Sequence, residues 1–275
     1  MLTKVLFFRR SLLFLFLLFA CGFARGVTRI GTWNLMNMGA HKPEASIRIM
    51  AACLKDFDIV ALQEIGTAPG GAQAVARLAD ALSREGAPWD YCISDPTTAV
   101  NPGESERYAY IWKKDKVVFT GKAFLAETFG AALSREPYLA VFRAGGKTMT
   151  LVNFHALPRK KQPERELKYL KFFPDSLKLV NPVFLGDFNC PQAHSVFTPL
   201  KKKGYRPALT GQKTTLRQEC IRNDCLASEY DNIFYPASVF KQRKAGVVPF
   251  YRFLQYDMKA ARKLSDHLPV YVDLE

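Results

Sequence analysis

The sequence predicts a mixed domain of α/β (α+β) class, on three observations. Short β-rich runs alternate with helical spacings, several strand ends carry groups able to bind metal or move protons, and no repeat, long Gly/Ser linker or abrupt change of composition divides the chain. With 275 residues, 48% of them hydrophobic, the chain has the material for a substantial core. Collagen-like, low-complexity and wholly disordered classes are excluded.

The chain opens with Lys4, Arg9 and Arg10, then an apolar run from Ser11 to Ala20, then Cys21-Gly22-Phe23-Ala24. Basic, apolar and small residues in that order read as a secretory signal peptide over residues 1–24. The run is shorter than the roughly 18 residues of a spanning helix, so no stable membrane span is expected. A membrane anchor and lipid attachment at Cys21, where Leu18-Phe19-Ala20-Cys21 resembles a lipobox, are the alternatives. A secreted, extracellular or periplasmic protein with one domain over 25–275 follows.

Within that domain, helical spacing appears at Ile47, Met50, Ala51 and Leu54, again at Val75, Leu78, Ala79 and Leu82, and over Pro163 to Phe173, where Pro163 suits a first turn. Strands are expected over Thr28 to Trp33, Asp58 to Leu62, Tyr108 to Trp112, Tyr138 to Phe142, Thr148 to Phe154, Val183 to Leu185, Asn232 to Tyr235 and Leu268 to Val272. The stretches near 95–106 and 210–230 read as loops.

Charge narrows the partners. Lys and Arg number 39 against 25 Asp and Glu, a balance of +14 that becomes +11 without residues 1–24, which hold three basic and no acidic residues. An acidic partner is favoured: nucleic acid, phospholipid or polyanionic glycan. Basic clusters at Arg159 to Lys161, Lys201 to Lys203, Lys241 to Lys244 and Arg262-Lys263 suit phosphate tracking, and Tyr251, Phe253 and Tyr256 are candidates for base stacking or core packing.

The strand ends carry the chemistry. Asn34, Glu64, His155 and Asp187 each follow an apolar strand, whereas Asp231 and Asp266-His267 each precede one. If the last two strands run antiparallel to the first four, all these groups meet at one rim. Glu64 and Asp266 offer hard oxygens suited to Mg²⁺ or Mn²⁺, with Ca²⁺ a further candidate, and Asn34 is able to complete that shell. Histidine titrates near working pH, and a carboxylate partner fixes its tautomer. His41 and His194 lack such company and read as loop or surface residues.

The segments TWN at 32–34, DIVALQE at 58–64, ERYAYIWKKDKV at 106–117, SREP at 134–137, NFHALP at 153–158, LGDFN at 185–189, YDNI at 230–233 and SDHLPV at 265–270 resemble the endonuclease/exonuclease/phosphatase superfamily. ERY and SREP are most similar to its secreted deoxyribonuclease branch. The resemblance implies a four-layer sandwich of two packed mixed β-sheets flanked by helices, and metal-dependent hydrolysis of phosphodiesters. It implies two dyads: His267 oriented by Asp231 as base for the attacking water, and His155 oriented by Glu106 as acid for the leaving oxygen. Other branches place the equivalent of Asp187 on the water, and both assignments stay open. Asp187 and Asn189 are expected at the phosphate, the metal or the nucleophile, and Arg135 on a phosphate oxygen.

Two positions depart from the deoxyribonuclease pattern. Gly66 and Glu104 stand where an arginine and a tyrosine contact the minor groove, which favours single-stranded DNA or RNA over a duplex. Of the five cysteines beyond residue 24, Cys53 and Cys92 fit core positions, while Cys190, Cys220 and Cys225 lie in loop-like sequence. The resemblance implies a Cys190–Cys225 disulfide; Cys220 competes, as a partner for Cys190 or in a small local loop with Cys225. The leading reading is a secreted, metal-dependent nuclease without sequence specificity, acting on nucleic acid and by resemblance on DNA. Alternatives are a phospholipid phosphodiesterase or inositol-phosphate phosphatase on the same scaffold, and a catalytically idle nucleic-acid-binding protein or toxin subunit.

Overall fold

The computed structural model describes residues 26–99 and 102–275. The expected signal peptide and Cys21 lie outside these residues. Among those described, no helix is long and apolar enough to cross a membrane.

The first sheet has six strands: β1 (Thr28–Met38), β2 (Ile59–Ile65), β3 (Trp89–Ile93), β4 (Arg107–Lys113), β13 (Gln242–Val247) and β14 (Val270–Leu274), in the order β13-β14-β1-β2-β4-β3. The second also has six: β5 (Val117–Leu125), β6 (Tyr138–Ala144), β7 (Lys147–His155), β8 (Val183–Asp187), β9 (Tyr205–Pro207) and β12 (Asp231–Pro236), ordered β5-β6-β7-β8-β12-β9. A separate hairpin joins β10 (Leu216–Ile221) to β11 (Asp224–Leu226).

The two-residue period of each strand sorts its side chains into layers. In β2, Ile59 and Ala61 enter the core between the sheets, whereas Val60 and Leu62 face helices α1 (Glu44–Leu54) and α2 (Pro69–Arg84). In β4, Tyr108, Tyr110 and Trp112 face inward, and Ala109 and Ile111 outward. The outer face of the second sheet packs Val152, Phe154, Phe184 and Phe234 against short helices α3 (Glu164–Leu167), α4 (Phe173–Ser176) and α5 (Thr198–Lys202). Helix α6 (Met258–Leu264) closes the first helical layer. The expected four-layer sandwich is therefore present.

All eight expected strands form, and α1 and α2 bury the apolar residues that predicted them. Two readings need correction. Pro163 to Phe173 is not one helix but two single turns, α3 and α4, joined by a 3-10 turn at Leu170–Phe172. The 210–230 stretch is not a plain loop, because it contains the β10–β11 hairpin.

That hairpin also corrects the disulfide. Cys220 pairs with Cys225, with Cα atoms 4.1 Å apart, while Cys190 is free and buried. Cys190 packs in the helical layer of the second sheet and Cys225 in that of the first, so two sheets stand between them. Closing so small a loop stabilises the hairpin by about 2 kcal/mol. Peptide mapping of the native protein should find the 220–225 link and a Cys190 thiol that alkylates only on denaturation; a 190–225 peptide would refute this pairing.

Glycine is obligatory at Gly186. Its φ is +144°, and a Cβ there would meet the Phe154 carbonyl oxygen at 1.8 Å, across the parallel β7–β8 pair. Gly186→Ala is expected to cost about 3 kcal/mol or more in urea denaturation, against a near-neutral effect at the open Gly103.

Candidate active site

Strand direction assembles the rim. β1 runs parallel to β2 and β7 parallel to β8, whereas β14 is antiparallel to β1 and β12 to β8. The ends of the first four strands thus meet the starts of the last two. Register sharpens this: His155 stands opposite Asp187, and Asp187 opposite Asp231, so three strands present one polar row.

Asp187 is its centre. Its Oδ2 lies 3.6 Å from His155 Nε2, 3.6 Å from His267 Nε2 and 3.3 Å from Asn34 Nδ2, and its Oδ1 accepts from the Asn189 amide. Each imidazole turns its other nitrogen to a carboxylate. His155 Nδ1 is 2.8 Å from Glu106 Oε2, and His267 Nδ1 is 2.8 Å from Asp231 Oδ2. The two dyads therefore bring both Nε2 atoms to the same carboxylate oxygen, Asp187 Oδ2.

Burial and charge act against each other on both rings. For His155, burial pulls the pKa down, but the charge of Glu106 and its hydrogen bond outweigh that, and the net shift is upward. Burial also lowers His267, yet Asp231 and Asp187 together hold its pKa well above the usual value. Burial raises the Asp231 pKa, because it removes water from the charged carboxylate, and the charge of Asp187 adds to that, while His267 opposes it.

The neighbouring loops are fixed by backbone contacts. Ser265 Oγ donates to the Asn34 carbonyl at 2.7 Å and accepts from the His267 amide, while Trp33 Nε1 donates to the His267 carbonyl at 2.7 Å. Asn34 also donates to Glu64 Oε1 at 3.0 Å, and the Asn37 amide donates to Glu64 Oε2. Glu64 itself has a left-handed backbone, φ +57°.

These contacts bring Glu64, Asn34 and Asp266 to adjoining loops, where both carboxylates are partly exposed and offer oxygen donors of the kind Mg²⁺ takes. A second donor set, Asp187, Asp231 and His267, has ligand atoms within 4.8 Å of one another. It is buried, and its histidine is hydrogen-bonded through Nδ1 to Asp231, an arrangement able to hold a proton and offering Nε2 and Asp187 as ion ligands as well.

Other expected residues fall less centrally. Arg135 lies buried behind the first dyad: its Nε donates to the Glu104 carbonyl at 3.0 Å and approaches Glu106, and its Nη1 donates to the His155 carbonyl. Glu104, which stands where the deoxyribonuclease pattern has a tyrosine, forms an ion pair with Lys161, so its carboxylate has a cation beside it. Asn189 donates to the Ala156 carbonyl. His41 is exposed, and His194 caps the 3-10 turn at Ser195–Phe197.

One site residue escaped the sequence reading. Thr214 Oγ1 donates to Asp231 Oδ2 at 2.6 Å and accepts from the Asp231 amide, fixing the carboxylate of the second dyad. It sits in the stretch that reads as loop, and no spacing marks it.

The sequence profile of the Endonuclease/Exonuclease/phosphatase family matches residues 31–267. The chain belongs to that family. A "Deoxyribonuclease" of Thioalkalivibrio is 30% identical over 268 residues, covering 90% of this chain and 71% of the relative. "Deoxyribonuclease-1-like 1" of Cricetulus griseus is 26% identical, covering 83% and 75%. A solved family structure from Bacteroides thetaiotaomicron superposes with a TM-score of 0.64 at 17% identity over 90% of this chain and 97% of that one, and it shares the fold. Family membership and these relatives make the chain a hydrolase of the nuclease and phosphodiesterase type. Enzymes of the family are generally dependent on a divalent metal.

The ring shifts set a pH dependence. Both folded pKa values exceed the ordinary 6.5, so the stability these rings add is complete below about pH 6.5 and is lost as pH rises through the folded values. In chelating buffer, the urea midpoint should fall from about pH 6 to 9 more steeply for the wild type than for His155→Gln/His267→Gln. Equal slopes would show that the rings are not held protonated.

Proposed function

We propose that this protein is an exported, divalent-metal-dependent nuclease that cleaves phosphodiester bonds in nucleic acid without sequence specificity, residues 25–275 acting as one catalytic domain. The observation that carries this reading is the convergence of two buried histidine–carboxylate dyads on Asp187 Oδ2, 3.6 Å from each Nε2. Cleaving a phosphodiester needs a proton taken from water on one side of phosphorus and one given to the leaving oxygen on the other. Two inward-pointing Nε2 atoms, each backed by a carboxylate, match that demand.

In the proposed mechanism, His267 Nε2, once it has given up its resting proton, takes the water proton while Asp231, held by Thr214, keeps Nδ1–H oriented. His155 Nε2 gives a proton to the leaving oxygen, with Glu106 stabilising the charged ring beforehand. Asn189 and Asp187 position the reacting groups. Arg135 acts first by fixing Glu106, and a guanidinium has donors beyond Nε and Nη1 with which to meet a phosphate oxygen. Glu64, Asp266 and Asn34 would hold the cation, Mg²⁺ or Mn²⁺ with Ca²⁺ a further candidate, which when bound supplies neutralising charge to the phosphoryl oxygens.

Relatives named as deoxyribonucleases favour DNA, and the net charge of +14 favours a polyanion. Export is supported by the signal-like residues 1–24 and by the Cys220–Cys225 disulfide, which belongs to an oxidising compartment; lipid attachment at Cys21 is compatible with both.

Purified, oxidised residues 25–275 should nick supercoiled plasmid with Mg²⁺ and not with EDTA. His155→Ala and His267→Ala should each lower the rate by about 10²–10⁴-fold with unchanged circular dichroism. Metal-independent nicking, or variants of wild-type rate, would overturn the assignment.

A further inference from the structure

A cavity of about 580 Å³ lies beside the rim, between the β10–β11 hairpin and the segment that enters α6. The Cys220–Cys225 bridge forms one wall, and Tyr251, Arg252, Tyr256 and Lys259 line the other. The volume falls within the roughly 300–1,000 Å³ of small-ligand sites. We propose that this cavity is a nucleobase-stacking subsite that holds a single-stranded segment of the substrate as its backbone passes the rim; the proposal rests on the nucleic-acid reading above.

The wall is built to present an aromatic ring. Tyr256 is 55% exposed, yet its amide donates to the Tyr251 carbonyl at 2.9 Å, and its ring meets that of Tyr251 edge-on with centroids 5.6 Å apart. Gln255 and Tyr256 both adopt left-handed backbone, φ +53° and +64°, a conformation that side-chain-bearing residues disfavour and that recurs at ligand-binding turns. On the same wall the Arg252 guanidinium stands 5.9 Å from the Tyr251 ring centre, and Lys259 adds a second cation. Two acidic residues line the cavity: Asp257 commits its carboxylate to the Ala260 amide, and Glu219 stands on the hairpin side, across from Arg252 and Lys259. Aromatic faces with flanking cations are what a single strand requires, and stacking tolerates every base, as the absence of sequence specificity demands.

The cavity is joined rigidly to the chemistry. α6 runs from Met258 at its lip to Leu264, two residues before Asp266. Six helical rises span about 9 Å, or two to three nucleotides at the roughly 3.4 Å spacing of a stacked strand. The Leu216 amide donates to the Asp266 carbonyl at 2.7 Å, and Arg262 of α6 donates to the Leu216 carbonyl at 2.7 Å. Hairpin, helix and rim are thus laced together, so a base held in the cavity fixes the phosphate two or three steps along.

The test is fluorescence anisotropy with a labelled octathymidylate and an octamer of abasic residues with the same backbone, both in EDTA, so that binding is read without cleavage. The wild type should bind the base-bearing strand more tightly than the abasic one. Tyr256→Ala should reduce that preference about tenfold, Tyr256→Phe should restore it, and Arg252→Ala should weaken both strands. Equal binding of the two octamers by the wild type, or an unchanged preference in Tyr256→Ala, overturns the subsite. Loss in Tyr256→Ala of sedimentation with phosphatidylcholine vesicles, with the octamer preference intact, also overturns it, in favour of a lipid contact. Hydrolysis of bis(4-nitrophenyl) phosphate by the same proteins, with EDTA removed and Mg²⁺ added, separates the two readings: base-dependent binding without hydrolysis would leave the subsite standing and sink the proposed function, and the reverse would sink only the subsite.

Discussion

The rim depends on a polar bolt driven through the apolar core just beneath it. Gln63 and Asn153, both fully buried, face each other from the two sheets, and Gln63 Nε2 donates to Asn153 Oδ1 at 2.6 Å. Gln63 also donates to Thr32 Oγ1, and Asn153 Nδ2 donates to the Leu62 carbonyl. Apolar side chains alone allow two sheets to slide, since burial is non-directional. A buried amide pair resists sliding, because a shift would break its hydrogen bonds and strand further polar atoms beside Gln63 Oε1, which already has no partner. Gln63 immediately precedes Glu64, and Asn153 stands two residues before His155. The bolt therefore sets how the cation-binding side of the first sheet faces the dyads of the second.

Above it, like charges have been gathered into a small volume of a strongly basic protein. Asp187, Asp231 and Glu106 are buried close to two imidazoles, and the protons held on those rings are what make the cluster tolerable. A buried lysine adds a further counter-charge from behind. Lys42 Nζ donates to the Lys263 and Leu264 carbonyls at the end of α6; burial lowers its pKa to about 8, while the fields of Glu64 and Asp266 oppose that shift. The same lysine thus secures the turn that carries Asp266 and His267 and offsets the two carboxylates assigned to a cation.

What is legible in the sequence, and what is hidden, follow one physical division. Every expected strand lies inside a sheet, where both faces are covered and apolar periodicity is strong. The four sheet edges, β3, β5, β9 and β13, are not among the expected strands, although Cys92 of β3 has a strand-like setting. An edge buries less and carries charge or turn formers, as Gln242-Arg-Lys in β13 and Gly121 in β5 do. The site is legible for the converse reason. An acid or a histidine beside an apolar strand is costly to bury unless a partner meets it there, and Asn34, Glu64, His155, Asp187, Asp231 and His267 do stand together. Thr214 is not legible, and the Cys220–Cys225 pairing is legible only as a local-loop alternative to Cys190–Cys225, because each depends on where a hairpin folds in space. Cys190 and Cys225 are similarly placed in sequence, yet two sheets separate them.

The dyads are alike in contact but not in field, and the difference bears on their proposed roles. His155 has Arg135 near it, whose charge works against a proton on the ring. His267 has no such opponent among its leading influences; Asp231, Asp187 and Asp266 all draw a proton toward it. In proton transfer, the stronger base is the better acceptor once free, and the ring that holds its proton less firmly is the better donor. The asymmetry suits His155 to the leaving oxygen, because its proton is held less firmly than that of His267. It also gives Arg135 a use beyond touching phosphate: placed behind Glu106, its charge loosens the proton that His155 gives to the leaving oxygen.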